Sequence, residues 1–362
     1  MRGGSGNAMI KLLVVDDSAL MRRHLAGLFE AEPDFEVRLA RDGLEAVREN
    51  REFQPDVVTL DINMPKVDGL TALSMMMLDR PVPVVMISSL TEKSALATLE
   101  ALNLGAVDYV LKPGGTMSSS IESIRACTVS KVRAAARASL APLMSAPGNS
   151  AVAQPRARPR GSRAQVMLSD HEQGVVLIGV STGGPRTLER ILPALRSDLR
   201  WPVVIAQHMP ASFTKAFARR LDTLCSLNVV EVSTPMVLAP GTIYLGKGDA
   251  DLQVVRRGGR CTVLARPADA LYPWHPSVEL LGRSALELYE PDGILAVMLT
   301  GMGYDGADAF AAIRNRGGRT IAESRESAIL FGMPAELIAR DGASVTLPAG
   351  KIAAQINAWV GE

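Results

Sequence analysis

Short runs of β-branched and aliphatic residues, each followed by a stretch with apolar positions at helical spacing, recur from Met9 to about Leu140: KLLVVDD, FEVRLA, DVVTLD, PVVMIS and DYVLKP. Five strands alternating with helices predict a parallel sheet covered on both faces, with its ligand site beyond the carboxyl ends of the strands. The periodicity vanishes over 141–173, a Pro-, Ala-, Ser- and Gly-rich segment carrying Arg156, Arg158, Arg160 and Arg163, which predicts a flexible, solvated linker. From Gly174 onward the alternation resumes with GVVLIGVS, PVVIAQH, GTIYLG, LQVVRR, CTVLAR, GILAVMLTG and TIAE. Two α/β domains are therefore expected, over 9–140 and 174–362, the second also doubly wound and mostly parallel. Residues 1–8, MRGGSGNA, precede a second Met that opens a strand pattern, and read as a tag or a misplaced start outside the fold.

Composition narrows the classes. The 362 residues, 47% hydrophobic and 21% charged, suffice for two buried cores and exclude a disordered chain. With 39 Lys+Arg against 38 Asp+Glu, the charge balance does not point to nucleic acid. Apolar runs such as Val175–Val180 and Ile294–Leu299 are strand-sized, far short of the roughly 20 residues of a bilayer span, and the N-terminus lacks a signal-peptide core. Neither membrane insertion nor secretion is expected. Cys127, Cys225 and Cys261 are too scattered for a disulfide framework or a zinc cluster, which fits a cytoplasmic location.

In the first domain the polar residues gather at strand ends: KLLVV runs into Asp16 and Asp17, DVVTL ends at Asp61, VVMI at Ser88, and YVL at Lys112 before Pro113. Taken singly, each acid could be a helix N-cap. Together, three converging carboxylates repel one another, and a hard divalent cation such as Mg²⁺ suits them. One carboxylate can then attack a phosphoryl donor while Lys112 and Ser88 meet the oxygens of the transferred group.

The motifs VVDDSALMR, DGLEA, LDINMPKVDGL, ISS and GAVDYVLKP, in that order over residues 10 to about 130, resemble a two-component receiver domain, whose fold is flavodoxin-like. The resemblance implies that Asp61 is the phospho-acceptor, with a histidine kinase as donor. It further implies that Asp16 and Asp17 hold Mg²⁺ with Asp61, that Ser88 is a switch hydroxyl, that Lys112 contacts the phosphate, and that Tyr109 moves with phosphorylation.

In the second domain Ser181 closes a strand within Gly179-Val180-Ser181-Thr182-Gly183, followed by a helix-like TLERILPAL. Glycines flanking a serine at a strand-to-helix turn let the backbone bend and present the hydroxyl near helix N-terminal amides. The strand PVVIAQ ends at His208, and AVMLTGMGYDG places Asp305 just past another strand. Nucleophile, base and orienting carboxylate thus all fall at strand ends, in an order that differs from the Ser, Asp, His of α/β-hydrolases. A rival pattern overlaps it. Gly301, Gly303 and Gly306 fit G-x-G-x-x-G after a strand, and Glu323 stands where a dinucleotide site places its ribose-binding acid. Against that, Asp305 would point at the pyrophosphate, and Ser181 and His208 would go unused. A third possibility is a receiver joined to a binding module.

The segments LIGVSTGGP, VVIAQHMPASFTKAFARRLD, LAPGTIYL, HPSVELL, LTGMGYDGA and FGMP make residues 174–360 similar to the catalytic domain of chemotaxis protein-glutamate methylesterases. That resemblance implies hydrolysis of γ-glutamyl methyl esters on a methylated chemoreceptor, and deamidation of certain receptor glutamines. Ser181 would be the nucleophile, His208 the base and acid, Asp305 its partner, and Thr182 and Met302 oxyanion support. No cofactor is implied for this domain, and the unphosphorylated receiver would inhibit it. His275, Glu279, Gly246-Lys247-Gly248 and Glu323-Ser324 depart from the residues common in the family and are expected around the substrate cleft.

Overall fold

The computed structural model describes residues 9–89, 91–112, 121–144 and 174–361. Pro113, the segment 1–8, and 145–173 with its four arginines lie outside the described residues. The chain divides into two compact units between Met144 and Ser145.

In the first unit β1 (Ile10–Val15), β2 (Phe35–Ala40), β3 (Val57–Asp61), β4 (Val84–Ser88) and β5 (Asp108–Leu111) alternate with α1 (Ala19–Glu30), α2 (Gly43–Glu52), α3 (Gly69–Asp79), α4 (Glu92–Leu104) and α5 (Ile121–Ala135). A single-turn α6 (Ala141–Met144) follows. The strands are parallel in the order β2-β1-β3-β4-β5, a flavodoxin-like sheet. β3 and β4 are buried along their whole length, which is why they read as unbroken apolar runs. Ser18, Asp42, Asp68 and Thr91 cap the first four helices by accepting a backbone N–H three residues on. Asp16, Asp17 and Asp61 are therefore left for other work.

The second unit contains β6 (Val175–Val180), β7 (Val203–Gln207), β8 (Asn228–Val232), β9 (Met236–Val237), β10 (Thr242–Gly246), β11 (Ala250–Arg257), β12 (Arg260–Pro267), β13 (Ile294–Met298), β14 (Arg319–Glu323) and β15 (Val345–Leu347). Its helices are α7 (Gly184–Ile191), α8 (Ala211–Leu224), α9 (Val278–Leu288), α10 (Ala307–Asn315), α11 (Met333–Ala339) and α12 (Ala349–Gly361). Seven strands form a parallel sheet in the order β15-β14-β13-β6-β7-β10-β8. LQVVRR and CTVLAR do not join it. They pair antiparallel as β11 and β12, turning at Gly258 and Gly259, both at positive φ, with β9 along β12.

The chain leaves β6 toward β7 on one side and comes back to β13 on the other, so the topology switches at β6, where a sheet of this kind places its ligand site. Val278, Leu281 and Ala285 bring α9 onto the sheet core beside Ala206, Ala296 and Phe310. Two glycines make the approach possible: a Cβ at Gly179 or Gly306 would lie 2.4 or 2.2 Å from the Val278 side chain. Among the described residues no helix is long and apolar enough to cross a membrane.

Candidate active site

Ser181 follows β6 at the switch point, and its backbone is held from both neighbouring strands. Its N–H donates to Thr300 O beyond β13 (3.0 Å), and its carbonyl accepts from Gln207 Nε2 at the end of β7 (3.0 Å). The same Gln207 amide donates to His208 O (3.0 Å), tying the turns that carry serine and histidine together. Gly183, at φ 80°, makes the sharp exit into α7, with Pro185 in its first turn. Beyond β13 Gly301 abuts the serine, and a Cβ there would sit 2.7 Å from Ser181 Cβ.

His208 turns Nε2 toward Asp305 Oδ2 at 2.8 Å, and its Nδ1 is buried with no hydrogen-bond partner among the described residues. Asp305 is itself surrounded by donors: Val278 N–H on Oδ2 (2.7 Å), and Ser277 Oγ and Glu279 N–H on Oδ1 (both 3.0 Å). These are the cap and first amides of α9, whose positive end favours a carboxylate. Burial pushes the Asp305 pKa up, but the bonds from His208, Val278 and Glu279 outweigh it and hold the carboxyl below its ordinary value. An ionised Asp305 favours the proton on Nε2 and leaves the Nδ1 lone pair able to accept another. Trp274 stacks on the imidazole, ring centroids 5.9 Å apart and nearly parallel, and Tyr304 meets the indole edge-on at 5.0 Å.

In the first unit the liganding oxygens of Asp16, Asp17 and Asp61 lie within 4.8 Å of one another, a spacing that suits a hard cation. Lys112 Nζ bridges two of them, 2.8 Å from Asp61 Oδ2 and 3.0 Å from Asp16 Oδ2. Burial raises the Asp61 pKa against the pull of Lys112. Burial acts to lower that of Lys112, yet its two carboxylate partners raise it. Ser88 is buried and accepts from Thr98 Oγ1 (2.8 Å), and Tyr109 is buried with its ring 4.9 Å from Lys131 Nζ.

A model described as "CheB methylesterase" matches residues 176–356, and one described as "Response regulator receiver domain" matches 12–120. The chain belongs to the CheB methylesterase family. It is 53% identical over 357 residues to "Protein-glutamate methylesterase/protein-glutamine glutaminase 3" of Rhodospirillum rubrum, covering 97% of this chain and 96% of that one. The Thermotoga maritima protein of the same name is 38% identical over 95% of this chain and 96% of its own. The crystal structure of the Thermotoga maritima CheB methylesterase catalytic domain matches 51% of this chain and 97% of that one, at 37% identity and TM-score 0.49.

In this CheB methylesterase the G-x-G-x-x-G run does not build a dinucleotide site. Gly301 clears Ser181, Gly303 clears Trp274, Gly306 clears Val278, and Glu323 is wholly buried. Thr182 is buried directly after Ser181, and Met302 lies on the loop beside Gly301. Of the departures expected around a substrate cleft, His275 binds Asp251 Oδ1 through Nδ1 (2.9 Å), and Glu279 accepts from the first turn of α10 at Ala309 N (2.9 Å). Lys247 is exposed just past β10, whereas Gly248 donates to Thr214 Oγ1 at 3.3 Å. Sequence patterns did not single out Ser277, Trp274, Gln207 or Asp251. Of these, only Ser277 left a cue, as a Pro-Ser step opening a helical period.

Proposed function

We propose that this chain is a phosphorylation-regulated protein-glutamate methylesterase acting in the cytoplasm on methylated chemoreceptors, with glutamine deamidation as a second activity. The observation that carries it is the His208–Asp305 pair held at the topological switch point that bears Ser181. Ser181 Oγ attacks the ester carbonyl and passes its proton to His208 Nδ1, while ionised Asp305 stabilises the imidazolium through Nε2–H. Thr182 and Met302 flank the serine where the developing oxyanion needs donors. The C–O bond then breaks, and methanol leaves with the proton from His208. Water attacks the acyl-serine, giving a proton to Nδ1. Collapse returns that proton to Ser181 Oγ and releases the glutamate side chain. With glutamine the leaving group is ammonia.

Residues 9–140 serve as the receiver, 141–173 as linker and 174–362 as the esterase. Asp61 attacks the phosphorus of a phosphohistidine on a kinase, forming the acyl phosphate as the P–N bond breaks and the kinase imidazole leaves. Asp16, Asp17 and Asp61 would hold Mg²⁺, which when bound neutralises the phosphoryl oxygens. Lys112 moves its contact from the carboxylate to the phosphate, and Ser88 and Tyr109 respond to the added charge. The test is methanol release from membranes bearing methylated receptor: the parent releases it and Ser181→Ala does not. Equal release by the two would overturn the assignment.

A further inference from the structure

Glu323 is the last residue of β14 and is fully buried, two strands away from the serine. A carboxyl there costs desolvation that an apolar residue would avoid. What it holds is specific. Its Oε2 accepts from Thr300 N–H at 2.8 Å, and its Oε1 accepts from Ser327 Oγ–H at 2.8 Å. Ser327 Oγ in turn accepts from Ala349 N–H (2.8 Å), so the hydroxyl is committed as a donor toward Glu323.

Thr300 is the junction between this carboxyl and the nucleophile. Its carbonyl accepts the Ser181 N–H, and its Oγ1 donates to Thr182 O (3.0 Å) and accepts from Leu330 N–H (3.0 Å). The next residue, Gly301, packs against Ser181 Cβ and is pinned through Leu330 O and by Gly332 and Met333. Each polar group of Thr300 therefore has a counterpart on the serine turn, on the 330 loop, or on Glu323. Without Glu323 the buried Thr300 N–H has no acceptor, and the strand end that seats Ser181 must shift to find one.

We infer that Glu323 is a positioning residue for the nucleophile, fixing Ser181 and Thr182 through the backbone and hydroxyl of Thr300. It touches neither substrate nor the reacting atoms. This rests on Ser181 being the nucleophile, and the experiment separates the two claims. The full chain is reacted with a fluorophosphonate, which forms a P–O bond to an activated serine and expels fluoride, and labelling rates are followed by intact mass. Steady-state methanol release is measured in parallel.

Glu323→Leu, which keeps bulk but offers no acceptor, should label at least tenfold more slowly and lose kcat by a similar factor, with KM within about twofold. Glu323→Gln, which can still accept from Thr300 N–H, should recover both to within about threefold. Thr300→Val, which keeps the shape but removes the hydroxyl, should fall between them and covers the case in which the leucine variant does not fold. Should the parent fail to label at Ser181, the nucleophile assignment is wrong. Should the parent label while folded Glu323→Leu and Thr300→Val match it within twofold, Glu323 merely packs and the inference is lost.

Discussion

His208 presents Nε2, not Nδ1, to Asp305, 2.8 Å from Oδ2. In the proposed mechanism the proton held between them makes Nδ1 the nitrogen that takes the serine proton. Asp305→Asn keeps the shape, but its NH₂ can donate to Nε2 and drive the proton onto Nδ1, where it blocks the base. Ser181→Ala and His208→Ala should each abolish ester hydrolysis with the fold intact. Asp305→Asn should lose roughly 10³- to 10⁴-fold in kcat. Turnover by Asp305→Asn within tenfold of the parent would show that Asp305 does not set the tautomer.

Ser277 does two things at once: its hydroxyl donates to Asp305 Oδ1 and accepts from Leu280 N–H as the cap of α9. Ser277→Ala should therefore cost about 1–2 kcal/mol of stability, as loss of a cap does, and also slow turnover. Thermal melts and methanol release on the same preparation test this, and a destabilised variant with parental kcat would separate the cap from the catalytic role.

Gly301→Ala places a Cβ 2.4 Å from Met333 Sδ and 2.7 Å from Ser181 Cβ. Displacement of the serine should lower kcat by about tenfold or more, an angstrom-scale misplacement costing that much. Phosphorylation of Asp61 in the same protein should proceed at the parental rate. Parallel loss of both would indicate general misfolding instead.

Phosphodonor should label the chain only with Mg²⁺ present and should raise methanol release. Asp61→Asn should show neither effect. Lys112→Ala, which removes the cation bridging Asp61 and Asp16, should still accept label but respond weakly in methanol release. Labelling of Asp61→Asn, or labelling without metal, would dismiss the acidic pocket as the phosphorylation site.

Burial pushes the Glu323 pKa from 4.5 up to about 7, against Ser327, the Thr300 amide and Arg190, which all act to lower it. Between those two values the folded protein holds a proton that the unfolded chain has released. The stability from this group is thus fully present below about pH 4.5 and is lost as pH rises through about 7, an amount of at most about 3 kcal/mol. Glu323→Gln should flatten that decline. Unfolding midpoints in denaturant at pH 5 and pH 8 compare the two proteins, and an unchanged pH slope in the variant would assign the dependence elsewhere.

The strand-end residues were readable because parallel strands buried on both faces announce themselves as apolar runs, and the first polar residue after each run marks its carboxyl end. Ser181, His208, Asp16, Asp61, Ser88 and Lys112 all lie at or beside such ends. The remainder of the site comes from elsewhere. Trp274 and Ser277 follow the antiparallel β11–β12 excursion, in a stretch without period, and Asp251 reaches back to hold His275 and the Ser277 amide. The edge strands β8 and β15 are partly exposed and carry polar residues, so their pattern was too weak to stand out. Glu323 matched a cofactor fingerprint in spacing alone. Only its burial distinguishes a brace from a ligand-binding acid.

In the proposed mechanism the seat of Asp305 on the first turn of α9 makes catalytic competence a report on the integrity of that helix. A molecule in which α9 has frayed loses the donors that keep the carboxylate ionised and aimed, and with them the tautomer of His208. Loss of that one helical turn should then silence the enzyme without any change at Ser181 itself.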